Sequence, residues 1–90
     1  MIWIVRDIQE HDGWRIVSVW DAEDKARKSA LEYVNQENER IASYHAHFES
    51  KRPLELLEPS DKYPNSWNRG HQWVDFTGYE LNAVVPYPYA

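Results

Sequence analysis

Ser66-Trp67-Asn68-Arg69-Gly70-His71-Gln72-Trp73 is the most chemically dense stretch of the chain. An arginine and a histidine between two tryptophans could hold a phosphate by charge pairing and a base by stacking. On that reading Trp67, Arg69, His71 and Trp73 make a ligand-binding set for a nucleotide or another small molecule. The plainer reading is a loop pinned by its two tryptophans with Arg69 in water, because buried aromatics more often pack than bind. The plainer reading is preferred.

His45-Ala46-His47-Phe48-Glu49 is the candidate metal cluster. On a helix His45 and Glu49 share a face at i,i+4 while His47 points elsewhere; on a strand all three align. Zinc asks for three or four ligands at short range, and no second pair of ligands at a supporting spacing is visible. A helix-end histidine favoured by the dipole is preferred, so no metal or other cofactor is expected. Ser43, Ser50, Ser60 and Ser66 sit in no nucleophile elbow, and there is no P-loop or GxGxxG. Acid pairs such as Asp7 with Glu10, or Asp75 with Glu80, cannot be told from ordinary surface carboxylates by sequence. No catalytic residue is assigned, and the chain is expected not to be an enzyme.

The remaining tryptophans point toward contact surfaces. Trp14 and Trp20 share parity on one expected strand, with Trp3 on its neighbour. If they lie away from the helix, the domain has an exposed aromatic patch of the kind that marks interfaces; if they lie under it, they are core. Trp3, Trp14 and Trp20, with Tyr87 and Tyr89 of the C-terminal segment, are the protein-binding candidates.

Composition narrows the partners. The chain has 90 residues, net charge -5 and no cysteine, with 5 Trp and 6 Tyr. Its length fits one domain spanning 1–90. The acidic balance and the lack of any basic cluster beyond Lys51-Arg52 disfavour direct binding to duplex nucleic acid. The absence of cysteine fits a cytoplasmic protein without disulfides. No stretch approaches the roughly 20 apolar residues of a membrane span. The N-terminus lacks the basic and apolar regions of a secretory leader, so none is expected.

The elements that must position these residues follow from patterning. Met1–Arg6 is β-branched and aromatic with both parities apolar, which predicts a strand covered on both faces. Asp12-Gly13 predicts a hairpin turn, and Trp14–Trp20 the second strand. Asp21 is the expected N-cap of a helix carrying Ala26, Ala30, Val34, Ile41, His45 and Phe48 at helical spacing, interrupted at Glu37-Asn38-Glu39. Between 50 and 71 proline, asparagine and glycine break the pattern, leaving a long irregular segment in which Leu54, Leu56 and Leu57 could pin a helical turn. An extra strand is possible over 72–76, a bulge or tight turn at Thr77-Gly78, and a final strand over 79–85. An extended tail follows at 86–90. The expected fold is α+β: a small β-β-α-β domain with a three- to four-stranded, mainly antiparallel sheet in the order 2-1-3, and one long helix packed on one face.

The opening strand, Val19-Trp20-Asp21-Ala22-Glu23-Asp24-Lys25-Ala26 entering the helix, and Tyr79-Glu80-Leu81-Asn82-Ala83-Val84-Val85 resemble a group of small uncharacterised bacteriophage and bacterial proteins with a strand-strand-helix-strand pattern. The resemblance implies an accessory phage-encoded protein that acts by binding, and carries no catalytic residues. The leading expectation is a non-enzymatic protein that binds and inhibits a host protein, of the anti-defence or host-takeover type. The alternatives are a nucleotide or small-ligand binder using the Trp67–Trp73 segment, and a metal-dependent hydrolase. One helix covers only one face of the sheet, so a homodimer through the other face is expected; the competing cover is the segment from Leu54 to Trp73 folding back over it.

Overall fold

The computed structural model describes residues 1–48 and 51–80. The α+β class holds: a five-stranded antiparallel sheet carries one helix. Strand β1 (Ile2–Gln9) pairs with β2 (Gly13–Trp20) through the Asp12-Gly13 hairpin, where Gly13 takes φ 86°. Helix α1 (Glu23–His47) follows, then the two-residue β3 (Glu58–Pro59), β4 (Ser66–Arg69) and β5 (Gln72–Tyr79). The sheet order is β2-β1-β5-β4-β3, so β1 is an interior strand with a hydrogen-bonded neighbour on each edge.

The strand beside β1 is not the expected 79–85 segment but β5, with Ile2 opposite Tyr79 and Gln9 opposite Gln72. Residues 81–85 and the tail at 86–90 lie outside the described residues. Thr77-Gly78 is neither bulge nor turn; both stay in the ladder, opposite Ile4 and Trp3. A Cβ on Gly78 would stand 3.1 Å from the Trp3 ring, so the glycine makes room for that indole across the strands. Residues 51–71 are more ordered than their punctuation predicts. They form no helical turn; β3 and β4 widen the sheet, and Leu57 is buried while Leu54 is exposed.

The helix starts at Glu23 without a side-chain cap; Asp21 instead pairs with Lys25 at 3.0 Å. It runs unbroken through Glu37-Asn38-Glu39. Asn38 acts there as a surrogate strand: its amide donates to the Leu57 carbonyl at 3.0 Å, and its oxygen accepts from the Leu57 N–H at 2.8 Å. This ties the connecting segment to the helix. Ala26, Ala30, Val34 and Ile41 are buried, but Tyr44 and Phe48 are exposed. Twenty-five helical residues span about 37 Å and eight strand residues about 27 Å, so the last helical turns overshoot the sheet.

The core lies between helix and sheet, where Val5, Val74, Phe76 and Leu57 meet Ala26, Ala30 and Val34, with Trp3, Val17, Tyr33 and Trp67 at its margin. The opposite face carries the other parity of β1: Ile2, Ile4, Arg6 and Ile8.

Candidate functional site

The two sides of β2 are rearranged by a bulge. Arg6 stands opposite Ile16 but Val5 stands opposite Ser18, which leaves Val17 as the extra residue. Parity therefore reverses along the strand. Trp14 and Ile16 lie on the face away from the helix, with Trp14 under the Arg6 guanidinium at 5.9 Å. Ser18 and Trp20 lie on the helix face, where Ser18 Oγ meets Ser29 Oγ at 2.7 Å and Trp20 Nε1 donates to Ser18 at 2.8 Å. The expectation that Trp14 and Trp20 share a face is thus incorrect. Trp20 instead stands opposite Trp3, which packs on Phe76 at 6.4 Å. Tyr87 and Tyr89 lie outside the described residues.

On the face away from the helix Ile4, Ile8, Trp14, Ile16, Val19 and Trp73 surround the Arg6–Asp75 ion pair, with Asn68 and Thr77 beside them. Ile8 is fully buried between its cross-strand neighbours Trp14 and Trp73. Arg6 binds Asp75 through both guanidinium branches, Nε to Oδ1 at 2.9 Å and Nη2 to Oδ2 at 2.7 Å. The Asp75 hydrogen bond outweighs burial and raises the Arg6 pKa, so this arginine stays charged. Beside the pair opens a concave site of about 650 Å³, bordered by Ile8, Tyr63, Pro64, Asn68, Trp73 and Thr77 among others. On the outer strand Ile16 and Val19 remain 49% and 53% exposed on the same face.

The helix side closes with a polar network. Tyr33 Oη donates to buried Asp7, accepts from Arg15 at 2.6 Å, and stands 3.1 Å from Glu37. Gln72 donates to Asp7 at 3.2 Å and accepts from Arg69 at 3.1 Å. Burial is the largest influence on Tyr33 and lifts its pKa well above the ordinary tyrosine range. Burial also works to raise Glu37, but Arg40 at 2.6 Å, Tyr33 and Arg15 together hold it below the usual carboxylate value.

The Trp67–Trp73 segment does not form a stacking cradle. It is a β4–β5 hairpin, and the two indoles fall on opposite faces: Trp67 against Phe76 at 6.1 Å in the core margin, Trp73 on the open face beside Ile8. Arg69 is tied to Gln72, and His71 sits in the turn. At the helix end His45 Nε2 meets the Arg52 carbonyl at 2.7 Å, and His47 lies edge-on to the Phe48 ring at 4.8 Å. Glu49 lies outside the described residues.

One cluster escaped the sequence reading. The β1–β2 and β4–β5 turns lie side by side, joined by the Glu10 N–H donating to the His71 carbonyl at 2.9 Å. They bring Glu10, His11 and His71 together at the surface, with His71 Nδ1 hydrogen-bonded to Glu10 Oε2. Only the adjacent hairpin glycines, Gly13 and Gly70, hint at it in sequence. No helix of the described residues is long and apolar enough to cross a membrane.

Comparisons with protein-family models, with curated proteins and with solved structures find no match to this chain.

Proposed function

We propose that the chain is a non-enzymatic protein-binding module whose contact surface is the sheet face away from the helix. One observation carries this reading: Ile16 and Val19 stand half-exposed on the outer strand, beside Trp14 and the concave site around the Arg6–Asp75 pair. Exposed aliphatic groups beside an aromatic ring and a concavity suit the centre of an interface. The neighbouring edge of β2 is blunted by the Val17 bulge, which favours docking on the face over strand addition at the edge. The sequence carries no motif for nucleophilic or phosphate chemistry, and its net charge of -5 suits a partner with a basic rim.

The resemblance to small phage and bacterial proteins directs the choice of partner: a host protein in the bacterial cytoplasm, bound and inhibited. Self-association through the same face is the competing use. The test is capture from bacterial lysate by the wild-type chain and by Ile16→Lys and Val19→Lys, with sedimentation to follow the mass. A stoichiometric protein held by wild type and lost from both variants supports the reading. Equal capture by all three chains contradicts it, and a concentration-dependent dimer that both variants abolish assigns the face to a second copy.

A further inference from the structure

We propose that Glu10, His11 and His71 form a surface site for a divalent transition-metal cation of the zinc class. The three residues offer two imidazole nitrogens and a carboxylate oxygen, and their ligand atoms all lie within 4.8 Å of one another. In a tetrahedral zinc site with bonds near 2.0–2.2 Å, neighbouring ligand atoms are roughly 3.3 Å apart, so modest side-chain rotations close the set. Two His and one Glu with a water in the fourth position is an open coordination sphere that zinc accepts.

The scaffold fixes where these ligands stand. Glu10 and His11 follow the last ladder pair of β1, and His71 precedes the matching residue of β5, because Gln9 stands opposite Gln72. The Glu10–His71 backbone hydrogen bond then locks one turn against the other. The His11 and His71 rings are 5.6 Å apart and tilted by 57°, both beside the one carboxylate that His71 already engages. All three residues are exposed, so a cation reaches them without any rearrangement of the core. The other two histidines stand at the end of the helix, His45 against the Arg52 carbonyl and His47 edge-on to the Phe48 ring.

Zinc titration by calorimetry, on the full chain without a polyhistidine tag, tests the proposal. The expected result is one saturable cation per chain. His11→Ala, His71→Ala and Glu10→Gln each weaken it about tenfold or more, while His45→Ala and His47→Ala leave it unchanged. Cobalt(II) gives a second readout: a visible absorption band of low-symmetry coordination that the His71→Ala chain lacks. Thermal melts confirm that the variants remain folded. Absence of saturable binding, or binding that follows His45 and His47 instead, overturns the assignment and leaves Glu10–His71 as a plain surface hydrogen bond.

Discussion

Arg6 and Asp75 clasp one another across the β1–β5 ladder by two parallel hydrogen bonds, on the sheet face away from the helix. Their side chains are only 9% and 16% exposed. Removing one partner of such a pair leaves a largely desolvated charge, whereas replacing both by apolar groups can restore stability. Asp75→Asn is expected to cost about 3 kcal/mol in urea unfolding. The Arg6→Met, Asp75→Leu double variant should recover most of that loss. A double variant no more stable than the Asp75→Asn chain would contradict this reading of the loss as an uncompensated charge.

Tyr33 is expected to shape the alkaline limit of stability. Its hydroxyl donates to Asp7, which is 2% exposed, so Tyr33→Phe should cost about 1–3 kcal/mol at neutral pH. The folded-state pKa of Tyr33 lies above its ordinary value of 10.0. Its contribution is therefore complete below pH 10 and is lost as pH rises beyond it. The stability gap between wild type and Tyr33→Phe should narrow above that pH. A gap that stays constant into strong alkali would mean that the hydroxyl is not held in its neutral form.

The bulge predicts an unusual tolerance. Deleting Val17 leaves Ile16 opposite Arg6 and Ser18 opposite Val5, so every remaining side chain keeps its face. The deletion should fold, at a cost of about 1–3 kcal/mol for one lost packed side chain. Deleting Val19 instead should misplace Trp20 and abolish folding. Circular dichroism and thermal melts of the two chains compare them directly; equal damage from both would contradict the bulge.

Local signals were legible and long-range ones were not. Asp12-Gly13 announced its hairpin, and the Ala26, Ala30, Val34 spacing announced the buried side of the helix, because both effects act within a few residues. The alternation of β2 misled, since a single extra residue at Val17 reverses parity and nothing in its own chemistry marks it. Asn38 looked like an interruption because its partner, the Leu57 backbone, lies 19 residues away. The pairing of β1 with β5 rather than 79–85 was hidden by Gly78, read as a break although it makes room for Trp3. Glu10 and His71 are 61 residues apart, so only the fold could bring them together.

The most direct test of the binding surface is the affinity of the captured partner for surface variants on the two sides of the domain. Ile16→Lys and Val19→Lys alter the open face, while Leu31→Ser and Tyr44→Ser alter exposed positions of the helix. With the purified partner, interferometry should show the first two weakening binding by at least about tenfold, or 1.4 kcal/mol. The helix variants should stay within about twofold of wild type, well under that threshold. Loss of binding from the helix variants with the open-face variants unaffected, or no partner retained by the wild-type chain, would contradict the account.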